Sequence, residues 1–187
     1  MKAPSAMTKS GSDAAADRSS GLGPEPLCSG SYVHATAIAL GEAATLIVGP
    51  PGSGKSRLAL QCLSLTVGAG WSIQPRLIAD DQVIVLTGPG RSQPVVKCPE
   101  PIAGRLEVRG YGIVTLSEGP IAPARLVLVG DLDRPRDDRM PDPLPVSTIC
   151  GHPMPTISLS ADDPAGPHRL LAALADCARN AGLSVQA

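Results

Sequence analysis

Residues 43–60 read Ala-Ala-Thr-Leu-Ile-Val-Gly-Pro-Pro-Gly-Ser-Gly-Lys-Ser-Arg-Leu-Ala-Leu, and this stretch limits what the chain can become more than any other. Thr45–Val48 is a short β-branched, apolar run, the pattern of a buried strand. Gly49 to Ser56 then spells G-x-x-x-x-G-K-S, and helical spacing follows. Strand, glycine loop and helix in that order form the setting in which this spacing becomes a phosphate cradle. A Cβ would block close approach to a phosphate, and turns of this kind need φ > 0. Backbone amides point inward and the helix adds its positive end. Gly49, Pro50, Pro51, Gly52, Ser53, Gly54, Lys55 and Ser56 are therefore the candidate nucleotide-binding residues, with Lys55 reaching the β/γ-phosphates and the Ser56 hydroxyl holding Mg²⁺. The competing reading is a glycine-rich strand-to-helix turn with an incidental lysine. A phosphate loop alone names no reaction, because one such fold serves many functions.

Length and composition narrow the class. At 187 residues the chain is one domain with tails, large enough to bury a core without staples. Aromatics are only 2% of the residues, so the core must be Leu, Val, Ile and Ala. The net charge of −1 offers no electrostatic case for nucleic acid or a membrane surface. No apolar run approaches the ~20 residues needed to span a bilayer, and the N-terminus lacks the apolar segment of a signal peptide. The cysteines at 28, 62, 98, 150 and 177 contain no C-x-x-C and are odd in number. That disfavours a disulfide framework or a zinc site and suits a cytoplasmic protein.

Read in order, residues 1–30 lack periodicity and read as a disordered tail. Residues 31–40 suit a strand, Gly41-Glu42 a tight turn, and Thr45–Val48 an antiparallel return. Ser56 to about Val67 reads as a helix ended by Gly68, Ala69 and Gly70, with Trp71–Arg76 as a connecting loop. An apolar strand then ends at Asp80-Asp81, and Val83–Leu86 follows as another. One of two adjacent carboxylates can face a metal and the other a substrate proton; the plain alternative is an Asp-Asp turn. Val95-Val96 is a short strand. In Gly104–Val114, Leu106 and Val108 point one way and Glu107 and Arg109 the other. Ala124–Val129 is a buried strand, 131–145 a long charged loop, and Val146–Ile149 and Thr156–Leu159 short strands. Residues 166–180 form a last helix with Leu170, Leu171, Leu174 and Cys177 on one face, capped by Asp163 or Gly166. A compact domain over 31–182 results, with 183–187 as a C-terminal tail.

Four pieces in this order suggest a family: Val33-His34-Ala35-Thr36, the loop 49–56, Leu77-Ile-Ala-Asp-Asp-Gln-Val, and Ile102-Ala-Gly-Arg-Leu-Glu-Val-Arg-Gly-Tyr-Gly-Ile. The chain resembles the catalytic domain of HPr kinase/phosphorylase, in the short alphaproteobacterial form without an N-terminal domain. The resemblance implies an α/β fold: a P-loop kinase with a mixed, partly antiparallel sheet and a phosphoenolpyruvate-carboxykinase-like core. It implies transfer of phosphate from ATP, with Mg²⁺, to a serine of the phosphocarrier protein HPr, and a homohexamer. On this resemblance Lys55 and the loop bind ATP, while Ser56, Glu107 and Asp80 serve the metal. Asp81 accepts the serine proton, His34 is the active-site histidine beside it, and Arg139 stabilises the transferring phosphoryl group. Asp162-Asp163-Pro-Ala-Gly-Pro-His stands where the family carries a glycine-arginine-asparagine segment, so the reverse phosphorolysis is not carried over. Two other readings stay open: a nucleotide-binding regulatory module with little turnover, and a generic P-loop small-molecule kinase or ATPase.

Overall fold

The computed structural model describes residues 29–65, 72–88, 92–119, 121–135 and 139–185. In chain order the strands are β1 (Ser29–His34), β2 (Thr36–Leu40), β3 (Ala43–Val48), β4 (Arg76–Ala79), β5 (Gln82–Thr87), β6 (Val95–Lys97), β7 (Arg105–Val108), β8 (Gly112–Thr115), β9 (Ala124–Asp131), β10 (Val146–Ile149) and β11 (His152–Ser158). Helix α1 (Lys55–Leu63) follows β3, and α2 (Gly166–Asn180) closes the fold. The result is a mixed α/β architecture with a mostly antiparallel sheet and few helices.

Strand β9 is the spine. β3 lies parallel along one edge of it. The other edge is shared: β6 pairs antiparallel with its first residues and β11 parallel with its last. β2 returns on β3 as a hairpin whose two-residue turn is Gly41-Glu42. Only Gly41 has positive φ there, at 56°, the arrangement of a type II′ turn whose twist suits antiparallel strands.

Residues 31–40 were expected to form one strand, and they form two. β1 pairs with β5, while β2 pairs with β4 and β3. His34 opposite Gln82 and Ala37 opposite Ala79 share one register. The two pairings are thus one antiparallel ribbon, interrupted where Ala35 and Thr36 face Asp81 and Asp80. The interruption has a physical cause. Beyond it, β5 leads to β6 on one flank of the sheet, whereas β2 leads to β3 on the other. The ribbon must bend to join both flanks, and strands that change flank do so at a break in the ladder.

Alternation along the strands builds two apolar layers, as a pleated strand requires. Ile38, Leu40 and Ile47 face α1 and α2, whose Leu58, Cys62, Leu170, Leu171 and Leu174 cover them. Ala37, Ala39, Leu46 and Leu126 face the opposite way, onto Val83, Val85 and Val96 of the curled sheet. On α2 the apolar stripe runs as expected through Leu174, but Cys177 is half-buried and Ala178 takes the buried position.

Several boundaries moved. α1 ends at Leu63 with Ser64 as its C-cap, short of Val67; the expected stop at Gly68–Gly70 and Trp71 lie outside the described residues. The last β-ladder strand begins at His152, not Thr156, because Cys150 (φ 47°) and Gly151 (φ 83°) close a hairpin between β10 and β11. Neither Asp163 nor Gly166 caps α2. Ala165 is the N-cap, and the Asp163 carboxylate accepts the Ala165 amide at 3.0 Å and Arg169 Nη1 at 3.2 Å. Packing also continues past 182. Leu183 N–H donates to Ala178 C=O and Gly182 N–H to Arg179 C=O, with Gly182 at φ 70°: a Schellman stop. It turns the chain back so that Leu183 and Val185, expected in a tail, are 5% and 1% exposed in the helical core. Of the expected N-terminal tail, Ser29 and Gly30 begin β1 and residues 1–28 lie outside the described residues.

Candidate active site

The loop between β3 and α1 is shaped by three glycines with positive φ: Gly49 (147°), Gly52 (79°) and Gly54 (95°). A Cβ on Gly54 would stand 2.6 Å from the Ala161 Cβ, and one on Gly49 would stand 2.8 Å from Ser53 Oγ. Side chains at those positions are excluded by conformation and by space together. Lys55 is only 7% exposed. Its ammonium folds across the loop and donates to the carbonyls of Gly49 (3.0 Å) and Pro50 (3.1 Å). The first intrahelical bond of α1 is Leu58 N–H to Gly54 C=O, so the first-turn amides before it face out of the helix end toward the loop. Ser53 Oγ is, among the described residues, the buried side-chain oxygen without a hydrogen-bond partner.

Asp80 is the node beside this loop. It terminates β4 and is 6% exposed. Its Oδ1 accepts from Thr36 Oγ1 at 2.7 Å and Ser56 Oγ at 2.8 Å; its Oδ2 accepts from the Glu107 amide at 3.1 Å. A carboxylate so buried is tolerated because donors from three elements replace its water. The shared register of the ribbon brings Thr36 opposite Asp80, and the Glu107 amide ties β7 to the same carboxylate.

Asp81 lies in a different environment. Gln82 N–H donates to Asp80 C=O at 2.9 Å, and Asp81 has φ 69°. Asp81 is thus the apex of a γ-turn, a strained conformation for a residue with a side chain. His34 Nδ1 lies 3.0 Å from the Asp81 carbonyl oxygen and 3.1 Å from its Oδ1. Both are acceptors, so Nδ1 carries the proton and Nε2 faces away. The two side chains are open to solvent, 49% for His34 and 73% for Asp81.

The structure therefore gathers Lys55, Ser56, Asp80, the Glu107 backbone, Asp81 and His34 around one end of the β3–α1 loop. Arg139 makes no polar contact with them; it sits exposed in the β9–β10 connection, whose residues 136–138 lie outside the described residues. Thr36 was missed as a site residue, whereas Ser53 was expected within the loop and its hydroxyl is found buried without a partner. Thr36 stood in the quoted Val33–Thr36 piece without a role, and only the pairing of β2 with β4 reveals one.

Two fits follow from this geometry. Glycines that leave no room for a Cβ, a buried lysine ammonium and an unpartnered buried hydroxyl suit the phosphates of a nucleotide. The Ser56 hydroxyl against the Asp80 carboxylate, with Glu107 on the adjoining strand, is an all-oxygen donor set of the kind Mg²⁺ takes together with substrate phosphate and water.

No protein-family model matches the sequence, and no curated protein does. Among solved structures, the chain is similar to the Hpr(Ser) kinase/phosphatase from Coxiella burnetii. The two are 22% identical with a TM-score of 0.55, over 81% of this chain and 90% of that one. The resemblance carried by the four sequence pieces thus holds for the fold, over a chain of matching extent. No helix among the described residues is long and apolar enough to cross a membrane.

Proposed function

We propose that this chain is an ATP- and Mg²⁺-dependent kinase that phosphorylates a serine of the phosphocarrier protein HPr. The observation that carries the reading is the Asp80 node, where one buried carboxylate joins the loop serine Ser56, the β2 threonine Thr36 and the β7 backbone at Glu107. It links the nucleotide loop to the segments that carry the family resemblance. The likeness to the Hpr(Ser) kinase/phosphatase fold supports it.

In this reading the loop 49–56 wraps the phosphates, and Lys55 leaves its carbonyl partners to neutralise β/γ-oxygens. Ser56, Asp80 and Glu107 hold Mg²⁺, which supplies positive charge to the transferring phosphoryl oxygens. Asp81, exposed and aimed outward from its γ-turn, accepts the proton of the attacking serine. His34 fixes Asp81 by bonding both its carbonyl and its carboxylate. Arg139 approaches the phosphoryl group from the β9–β10 connection. The phosphoenolpyruvate-carboxykinase-like core, the homohexamer and a cytoplasmic location belong to the same proposal.

A phosphotransfer assay tests it. Purified protein, Mg²⁺-ATP and HPr from the same cell are combined and the intact mass of HPr is read. One added phosphate on a serine, absent with Lys55→Ala, is expected. ATP bound with HPr left unmodified would overturn the kinase reading in favour of a regulatory module. ATP consumption stimulated by a metabolite and not by HPr would overturn the choice of substrate.

A further inference from the structure

Arg109 has so far had no role. It follows β7 in a turn closed by Tyr111 N–H to Val108 C=O at 3.0 Å. Gly110 at φ 80° is the third residue of that turn, the pattern of a type II turn, and Arg109, its second residue, is exposed. The turn is held from below. Leu106 is buried in the helical core, and the Glu107 amide is bonded to Asp80. At its tip the Arg109 guanidinium reaches back over the β3–α1 loop. Its Nη2 lies 3.9 Å from where a Cβ on Gly52 would stand, and no other non-neighbouring atom of the described residues comes within 4 Å of that point.

This guanidinium has no hydrogen bond or ion pair among the described residues, and neither does the nearby Glu107 carboxylate. The neighbouring Arg57, by contrast, is occupied by Asp162 at 2.6 Å. Lys55 Nζ lies at the Gly49 and Pro50 carbonyls. Two cations thus bracket the first half of the loop, Lys55 from inside and Arg109 from above Gly52, and Arg109 has no protein anion. A planar fork of donors over an open glycine backbone matches a phosphate, whose oxygens it can bridge in pairs. The lysine of such loops reaches the β/γ end of the nucleotide, so the open space between the two cations belongs to the terminal phosphate.

We infer that Arg109 is a catalytic residue that grips the terminal phosphoryl group of the nucleotide during transfer. The inference rests on the kinase reading above and deepens it. As the serine oxygen forms its bond to the γ-phosphorus, the bond to the β–γ bridging oxygen breaks. Its electron pair stays on the departing diphosphate, and the hydroxyl proton passes to Asp81. Arg109 exchanges no proton; it follows the equatorial oxygens as charge spreads over them.

The test pairs binding with turnover in Arg109→Ala and Arg109→Lys. Arg109 is exposed at a hairpin tip, so both variants keep the fold. Calorimetric titration with Mg²⁺-ADP should give affinities within about twofold of wild type, while the gain of Mg²⁺-ATP over Mg²⁺-ADP disappears. Transfer to HPr should fall by about 10²-fold or more in both variants, since a lysine point charge cannot bridge two oxygens. Added guanidinium should restore part of the rate to Arg109→Ala alone. Arg109→Ala transferring at the wild-type rate, or losing ADP and ATP affinity equally, overturns the inference. A wild type that binds Mg²⁺-ATP without phosphorylating HPr overturns the HPr reading instead, and the ATP-to-ADP comparison then still decides Arg109.

Discussion

Asp80 and Asp81 are neighbours with the same side chain and opposite environments. Asp80 is sealed among Thr36, Ser56 and the Glu107 amide, whereas Asp81 stands in solvent at the apex of a γ-turn. The Asp-Asp pair was legible in the sequence as a possible division of labour between metal and proton. Which donors bury Asp80 was not, because Thr36 is 44 residues away and only the ribbon register brings it close. The two environments separate experimentally. Asp81→Asn should keep nucleotide affinity and lose HPr phosphorylation, because the amide still accepts from His34 but takes no proton. Thr36→Val should lower unfolding free energy by about 1–3 kcal/mol, because it removes a donor from a buried carboxylate. Equilibrium denaturation and phosphotransfer run on both variants check this; transfer retained in Asp81→Asn would sink the proton-acceptor role.

At the level of elements, the loop and the β7–β8 hairpin use glycines for different reasons. The glycine spacing of the loop was readable because the positive φ values at Gly49, Gly52 and Gly54 are a local demand that glycine meets without steric cost. The break of residues 31–40 into β1 and β2 was not, because their apolar pattern is continuous and the cause lies in which strands flank β2 and β5. The β7 face assignment held, since Leu106 is buried and Glu107 exposed as alternation requires. A pair of glycine substitutions checks the reading of these elements. Gly54→Ala meets both φ 95° and the Ala161 Cβ at 2.6 Å, against Gly110→Ala with φ 80° and nothing within 4 Å. The second should cost about 1–2 kcal/mol, from backbone conformation alone. The first should cost more and also abolish nucleotide binding, because the loop must move away from Ala161. Thermal melts with and without Mg²⁺-ATP read both effects.

For the whole molecule, the organising fact is one spine, β9, with helices over one face and the curled ribbon over the other. That this fold was approached from sequence owes most to four separated motifs; composition alone yielded only a Leu-Val-Ile-Ala core. The C-terminal residues 183–185 were misjudged as a tail because the Schellman stop that returns them is a backbone event. Cys62, in the helical core, reports on this packing. Burial pushes its thiol up to about 12 from 9.0. The folded thiol therefore stays protonated where the unfolded one ionises. Its contribution to stability is complete below pH 9 and lost as pH rises toward 12. Between those limits each pH unit should cost about 1.4 kcal/mol, and Cys62→Ala should remove that slope; denaturant titrations at pH 8 and 10.5 under reducing conditions measure it. The spine also sets an order in time. β3 is complete at residue 48, but its parallel neighbour β9 ends at residue 131, and Ala161, which leaves no room for a Cβ on Gly54, comes 30 residues later still. At ~5–20 residues per second, the chain spends several seconds with its β3–α1 loop synthesised and unassembled. On the kinase proposal, nucleotide binding then waits for residues far beyond the loop itself, so a product truncated before residue 161 should be inert rather than a partial competitor for ATP.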